Sequence, residues 1–248
     1  MKRWLFDLGN SRLKCVRLHA DGSLGEVSAL AHGEHGFSEA LDALLPARAG
    51  SACLASVASP QLTATVVETL ATRFQRISLA RSVAQLVGVR IAYAQPARLG
   101  VDRFLALLAA HARSPGGALV VGVGTAMTLD LLDAAGQHRG GRIGPSPALM
   151  RQALHTAAAH LPAQGGRYRE FADDTDDALA SGCEGAALGL VERSLQQAAA
   201  LLGKTPQLLL HGGGAEALLP HFPQALHVPS LVLEGLALWS QAGQAPSP

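Results

Sequence analysis

The sequence has little charge and no long apolar run. Only 16% of its 248 residues are charged, and the formal net charge is +1. The lack of a basic excess argues against a nucleic-acid partner, and no acidic tail is visible. No stretch approaches the roughly 20 apolar residues of a membrane-spanning helix, so we expect no membrane partner. Hydrophobic residues still make up 48% of the chain, which is enough for a core in one large domain or two small ones.

Cysteine is also scarce. Cys15, Cys53 and Cys183 lie far apart in apolar neighbourhoods, which predicts buried free thiols in a reducing compartment. The chain opens with basic residues, but Asp7 interrupts the apolar run that follows, too early for a signal peptide. We therefore expect a cytoplasmic location.

The chain contains two similar halves. Residues 4–18 predict a strand, a polar turn and a second strand, and residues 118–136 repeat this pattern. Gly124 aligns with Gly9, and the strands after the turns align with a one-residue slip. Strands alternate with predicted helices in both halves, which indicates an α/β fold. The Ser-Pro-Gly-Gly run at 114–117 marks the predicted boundary between domains of residues 1–115 and 116–248.

Helix signals place the remaining segments. Pro60 is typical of the first turn of a helix. Apolar periodicity predicts further helices over 100–113, from about Thr175 to Leu202, and over 230–241 at the end of the second domain.

Each half places glycine and small polar residues in the turn between its first two strands. Glycine permits a positive φ or a close backbone approach. Backbone N–H groups beside hydroxyl and amide side chains can form a concave anion site. One such turn could be an ordinary hairpin, but two matching turns favour phosphate binding.

Other motifs fail on inspection. Gly122 to Met127 begins like a dinucleotide fingerprint, but it lacks the third glycine and continues as a strand. Gly203-Lys204-Thr205 ends like a P-loop, but its first glycine is missing. The ten histidines are scattered. His32 and His35 lack a second pair of metal ligands, and His211 is interpreted as a structural histidine.

Five motifs together resemble the type III pantothenate kinases of the actin-like ATPase and sugar kinase superfamily. Asp7-Leu-Gly9-Asn10-Ser11, with Lys14, is similar to their first phosphate loop. The other four, in chain order, are Tyr93-Ala-Gln-Pro96 with Gly100-Val-Asp102-Arg103, then Gly124-Thr125-Ala126-x-Thr128-x-Asp130, then Gly140-Gly141-x-Ile143 with Leu149-Met150, and last Thr175 with His211-Gly-Gly-Gly214. The resemblance covers nearly the whole chain.

The resemblance implies a fold and an activity. The fold would be two ribonuclease-H-like α/β domains with the active site in the cleft between them. The activity would be ATP-dependent phosphorylation of pantothenate to 4'-phosphopantothenate, the first step of coenzyme A biosynthesis, by a homodimer with Mg²⁺.

The resemblance also implies site residues. Asp7 would hold Mg²⁺ and Asp102 would be the general base. The implied ATP-binding residues are Asp7, Leu8, Gly9, Asn10, Ser11, Arg12, Leu13, Lys14, Gly124, Thr125, Gly212 and Gly213. The implied substrate-binding residues are Tyr93, Gly100, Val101, Asp102, Arg103 and Thr175.

Several of these residues also have plain structural interpretations. Asp102 and Thr175 could cap helices. Lys14 could be an exposed strand lysine, Tyr93 a core aromatic residue and Arg103 a partner in a surface salt bridge.

The sequence departs from the family pattern at three positions. Gly122 replaces the usual aspartate, which the family associates with a monovalent cation such as K⁺ or NH₄⁺, and this leaves the cation site open. Ser146 replaces a glycine, and Ser59 interrupts the usual Ser-Val-x-Pro run. Two alternative functions also remain open: a kinase for another small hydroxyl substrate, and a nucleotide-binding regulator without kinase activity.

Overall fold

The computed structural model describes residues 3–32 and 36–242 and confirms the α/β class. The chain forms two compact units. The first contains the described parts of Met1–Arg113 and Ser230–Pro248, and the second is Ser114–Pro229. The end of the chain therefore packs with the first unit, whereas the sequence placed it in the second domain. No helix among these described residues is both long and apolar enough to cross a membrane.

The first unit is built on a five-stranded sheet with strand order β3-β2-β1-β4-β5. Its elements are β1 Arg3–Leu8, β2 Arg12–Leu18, β3 Ser28–Ala31, α1 Phe37–Leu44, β4 Ala49–Ser56, α2 Pro60–Ala71, β5 Phe74–Leu79, the hairpin β6 Gln85–Leu86 and β7 Val89–Arg90, α3 Val101–Arg113, and α7 Leu231–Ala242.

Strand β1 lies in the middle of this sheet, and its apolar run is buried on both faces. Phe6 and Leu8 belong to one core cluster, which also contains Val66 and Leu70 from α2. Such a run is typical of a central strand that has neighbours on both sides. Helix α2 begins at Pro60 as predicted.

Helices α3 and α7 explain why the end of the chain joins the first unit. A Cβ atom at Gly235 of α7 would collide with the carbonyl oxygen of Leu105 in α3. Glycine thus permits the two backbones to approach closely. The carboxylate of Glu234 also accepts hydrogen bonds from Arg113 at 2.5 and 2.8 Å. The apolar side of α7 is consequently buried against an element of the first unit.

The second unit repeats the topology of the first. Its sheet has the order β10-β9-β8-β11-β12, in which β8 to β12 take the places that β1 to β5 have in the first sheet. Its elements are β8 Ala118–Val123, β9 Ala126–Leu132, β10 His138–Pro145, α4 Pro147–Ala157, α5 Thr175–Leu202, β11 Gln207–His211, α6 Ala215–Leu218 and β12 Leu226–His227. The predicted similarity of the two halves is therefore confirmed.

The one-residue offset in the alignment of the two halves arises in the hairpin turns. In the first hairpin Leu8 pairs with Leu13, so the connection is residues 9–12. In the second hairpin Val123 pairs with Met127, so the connection is residues 124–126. The second turn is one residue shorter, while the strands on either side keep the same register.

Both serines that depart from the family pattern cap helices. The hydroxyl of Ser59 accepts a hydrogen bond from the backbone N–H of Leu62 at 3.3 Å, at the start of α2. The hydroxyl of Ser146 accepts one from the N–H of Leu149 at 3.2 Å, at the start of α4. Serine is a favoured N-cap residue, so each departure stabilises the helix that it precedes.

Candidate active site

The first glycine turn leaves its polar side chains exposed. The N–H of Gly9 donates to the carbonyl of Arg12 at 3.0 Å, which closes the turn. Asn10 and Ser11 at its tip are exposed. Leu8 and Leu13, on either side, are fully buried in the core. The side chains of Leu8 and Leu13 therefore pack in the core on either side of the turn. Any contact that these two residues make with a nucleotide has to come from their backbone.

Asp7 lies at the end of β1 beside this turn, opposite Lys14 in the register of β2. Burial and, to a smaller extent, the nearby charge of Asp102 raise the pKa of Asp7 to about 7, although the charge of Lys14 opposes both effects. Asp7 and Asp102 are thus close enough to interact, although they are far apart in sequence. The structure brings together the carboxylates to which the resemblance assigns metal binding and proton transfer.

Gly100 makes room for Asp102. A Cβ atom at Gly100 would lie 2.6 Å from Oδ1 of Asp102, so the carboxylate folds back over the glycine. Asp102 lies in the first turn of α3. The positive end of the helix dipole favours a carboxylate there.

Arg103 and Tyr93 form a pair. Arg103 is only 7% exposed, and its Nη1 donates to the Tyr93 hydroxyl at 3.3 Å. Its guanidinium carbon lies 5.9 Å from the centroid of the tyrosine ring, in cation–π range. Arg103 is therefore a buried side chain and not a surface one, and Tyr93, which is half-buried, is not a core residue.

The second glycine turn is held by its neighbours. The N–H of Gly124 donates to the carbonyl of Ala126 at 2.9 Å, and the side chain of Thr125 is exposed. The hydroxyl of Ser146 donates to the carbonyl of Thr125 at 2.9 Å, so the cap of α4 is also tied to the turn.

The glycine run after β11 lies against the end of β8. Gly212 has φ +92, and a Cβ atom there would collide with the backbone of Val123. The N–H of Gly214 donates to the carbonyl of Val123 at 3.0 Å. The structure thus places Gly212 next to the turn at Gly124, as two parts of one candidate phosphate surface in the second unit.

Thr175 is the exposed first residue of α5. It does not cap this helix, because the side chain of Asp174 accepts the hydrogen bond from the N–H of Asp177 at 2.8 Å. Thr175 lines a surface cavity of about 470 Å³ together with Gly166, Arg167, Asp174, Asp176 and Asp177. A hydrogen bond from Arg169 lowers the pKa of Asp177, so this acid is held in its charged form.

The position of Asp7 fits a magnesium ion. Its carboxylate is poorly solvated and lies near a second carboxylate, a combination that a divalent cation relieves. Among the described residues no group of three or more His, Cys, Asp or Glu could hold a metal ion. Mg²⁺ commonly uses one or two carboxylates together with waters and substrate phosphates, so Asp7 alone would be enough protein ligand to anchor the ion.

The surroundings of Gly122 do not fit a monovalent cation held by a carboxylate at that position. A Cβ atom there would lie 2.8 Å from Nε2 of His211 and 2.9 Å from Oγ1 of Thr128. Real Cβ atoms essentially never approach other heavy atoms this closely.

Sequence reasoning did not identify the contacts that two residues make. Nε2 of His32 donates to the carbonyl of Gly9 at 2.9 Å and so holds the first turn. Asp130, which matched the second phosphate loop, is buried and bonds to Nε2 of His138 at 2.9 Å. Neither pair has a local signal, because only the strand pairing of each sheet brings the partners together.

A model of the type III pantothenate kinase family matches residues 4–197. The chain belongs to this family. A type III pantothenate kinase from Stenotrophomonas maltophilia (strain R551-3) is 58% identical over 97% of this chain and 98% of its own length. The type III pantothenate kinase of Xanthomonas campestris pv. campestris (strain B100) is 54% identical over 99% of this chain and 100% of its own.

Solved structures agree with the fold of a type III pantothenate kinase. A proposed Baf family transcriptional activator from Campylobacter jejuni aligns with a TM-score of 0.63 and 18% identity, over 97% of this chain and 98% of that one. An activator of 2-hydroxyisocaproyl-CoA dehydratase from Clostridium difficile, with bound ADPNP, aligns with a TM-score of 0.53 and 10% identity, over 98% and 96% of the two chains. At these identities the likeness concerns the fold alone.

Proposed function

We propose that this protein transfers the γ-phosphoryl group of ATP to the primary hydroxyl of pantothenate. The product is 4'-phosphopantothenate, and the reaction is the first step of coenzyme A biosynthesis. Membership of the type III pantothenate kinase family, with 58% identity to a relative over almost the full chain, carries this proposal. The proximity of Asp7 and Asp102 supports it, because phosphoryl transfer needs a metal anchor and a proton acceptor.

Asp102 acts as the general base. Its carboxylate accepts the proton of the pantothenate hydroxyl as the oxygen attacks the γ-phosphorus. The start of α3 and the space over Gly100 hold the carboxylate in one orientation. Asp7 anchors Mg²⁺, which when bound supplies charge neutralisation for the phosphates.

Arg103 binds the carboxylate of pantothenate or the transferring phosphoryl group. Its planar fork suits either anion. Because the guanidinium is buried and held by the Tyr93 hydroxyl, it is pre-oriented before substrate arrives. Gly100 and Val101 complete this part of the substrate site, and Thr175 is a further substrate-binding residue.

The two glycine turns bind the nucleotide. Gly9, Asn10 and Ser11 cradle the β- and γ-phosphates, and Lys14 adds positive charge. Gly124 and Thr125 also bind phosphate. Gly212 and Gly213 let adenosine lie close to the backbone, since a Cβ atom at Gly213 would meet nothing within 4 Å.

The protein acts as a homodimer in the cytoplasm. Helix α5 carries a stripe of small residues, of which Gly182 and Gly189 are exposed, and a stripe of this kind permits a second helix to approach closely. On the edge strand β10, Ile143 is 65% exposed. A monomeric mass by light scattering at micromolar concentration would count against the dimer.

The test is ADP release coupled to added pantothenate. ATP and Mg²⁺ alone should give little ADP, and pantothenate should start turnover. Asp102→Asn should lower the rate by about 10²- to 10⁴-fold, the usual contribution of a general base. Asp42→Asn is the matched control, because Asp42 is an exposed carboxylate that pairs with Arg73 at 2.6 Å. Pantothenate-independent ADP release, or unchanged turnover in Asp102→Asn, contradicts the proposal.

A further inference from the structure

Three strands meet at Gly122. In the register of the second sheet Gly122 pairs with Thr128 on β9 and with His211 on β11. Gly122 is one residue before the last residue of β8, next to the turn that begins at Gly124. The residues around Gly122 therefore form the base of the second phosphate turn.

The imidazole of His211 fills the volume that a side chain at residue 122 would need. A Cβ atom built on Gly122 would lie 2.8 Å from Nε2 and 3.0 Å from Cε1 of His211, with Oγ1 of Thr128 at 2.9 Å on the other strand. A carboxylate is larger than a methyl group and would collide more severely. Glycine at 122 and histidine at 211 are thus a matched pair, since the imidazole occupies the space that the missing side chain at 122 leaves.

The same surroundings offer a poor cage for an alkali cation. Such a cation is held by several oxygen ligands, whereas the atoms nearest to a Cβ at Gly122 are two imidazole atoms of His211 and a single oxygen, the Thr128 hydroxyl. The next acid along β9 is Asp130, whose side chain is 3% exposed and receives a hydrogen bond from His138 at 2.9 Å. The carbonyl of Val123 already accepts from the N–H of Gly214 at 3.0 Å.

We propose that the His211 ring replaces a monovalent-cation site at residue 122, so that this protein turns over without K⁺ or NH₄⁺. The inference rests on the proposed kinase function and extends it to the cation requirement. The ring supports the second turn through direct packing on the backbone of Gly122. That is a fixed contact of the protein, and it does not vary with the ionic composition of the solution.

The first experiment compares salts on the wild-type protein. ADP release with ATP, Mg²⁺ and pantothenate is measured in potassium, ammonium, sodium or choline chloride at equal ionic strength. We expect the same rate in all four. A rate that falls about tenfold or more in choline, equivalent to about 1.4 kcal/mol of transition-state stabilisation, overturns the inference.

A second readout does not need turnover. A ligand that binds only the folded protein raises its melting temperature. With an ATP analogue and Mg²⁺ present, we expect equal melting temperatures in potassium and choline. A rise specific to potassium shows a bound cation and overturns the inference. Absence of turnover in every salt, with equal melting temperatures, counts against the kinase function and leaves the cation inference supported.

Paired variants test the steric argument. Gly122→Asp alone should lower activity, because the new side chain collides with the His211 ring. The same substitution at Gly116 is the control, since a Cβ atom there would meet only Lys204 Nζ at 3.7 Å. Combining Gly122→Asp with His211→Gly removes the collision, and this double variant should be faster in potassium than in choline. Full activity of Gly122→Asp alone contradicts the steric argument.

Discussion

Replacing Asp7 by asparagine should stabilise the metal-free protein and remove its catalytic activity. Burial and the charge of Asp102 raise the pKa of Asp7 from 3.8 to about 7. The ionised carboxylate is therefore disfavoured in the folded chain. Each tenfold change in an acid dissociation constant corresponds to about 1.4 kcal/mol of free energy. Ionisation of Asp7 therefore lowers the free energy of unfolding by up to about 4 kcal/mol. Asparagine has nearly the same shape and carries no charge, so this cost disappears.

The expected stabilisation depends on pH. The folded pKa of Asp7 lies above its unfolded value, so between about pH 4 and pH 7 the unfolded chain loses the proton first and wild-type stability falls. The advantage of Asp7→Asn over wild type should be about 1–2 kcal/mol at about pH 5 and should approach about 4 kcal/mol at about pH 8.

The assay is thermal unfolding with a chelator present, at both pH values. For a chain of this size 1 kcal/mol shifts the midpoint by about 2–4 °C, so we expect Asp7→Asn to melt roughly 8–16 °C above wild type at about pH 8. Asp42→Asn should show no such pH-dependent gain, because Asp42 is exposed and paired with Arg73. An equal or lower midpoint for Asp7→Asn at about pH 8 would refute the reasoning. Its pantothenate-dependent turnover should be lost even at saturating Mg²⁺, since the metal anchor is gone.

Substitutions at three further positions test contacts that support the first turn and the first unit. His32→Leu removes the hydrogen bond to Gly9 and should raise KM for ATP more than it lowers kcat, while His32→Gln, which keeps a donor, should recover part of the loss. Equal effects of the two on both constants would contradict this role. Gly235→Ala forces α7 away from Leu105 and should destabilise the protein by several kcal/mol, on the order of 2–5, in urea unfolding. Ser59→Ala removes a helix cap and should cost about 1 kcal/mol with unchanged turnover.

Local patterns were sufficient to predict most of the elements. Helix α5 begins at Thr175 and ends at Leu202, as apolar periodicity predicted. Pro60 opens α2 as expected. Both signals act within a few residues of the chain, through helix geometry and proline φ, so they need no knowledge of the tertiary fold.

The place of the last helix could not be predicted in this way. Periodicity identified α7, but its partner is evident only from the close approach of Gly235 to the backbone of Leu105 and from the pairing of Glu234 with Arg113. A glycine inside a helical pattern ordinarily lowers confidence in the helix. Here it marks the face that another helix covers, and the sequence alone does not say which helix that is.

The candidate site could likewise be predicted only in part from local sequence. The turns at Gly9 and Gly124 were found from their residues, because glycine beside hydroxyl and amide groups has a direct chemical meaning. The proximity of Asp7 to Asp102 was implied by family resemblance, since nothing in either segment refers to the other. The sequence shows only that His32 lacks partners for a metal site. In the structure its Nε2 donates a hydrogen bond to the carbonyl of Gly9.

The structural effect of each departure from the family pattern depends on the residue that it contacts in space. Ser146 caps α4 and also donates to Thr125 in the second turn, so the change from glycine adds two hydrogen bonds where a phosphate is to bind. Gly122 has no side chain, yet its position is filled by His211, which comes from another strand. A missing aspartate at 122 therefore does not mean an empty site. Its functional consequence depends on what the residue at 211 can do in its place, and the salt comparison measures that directly.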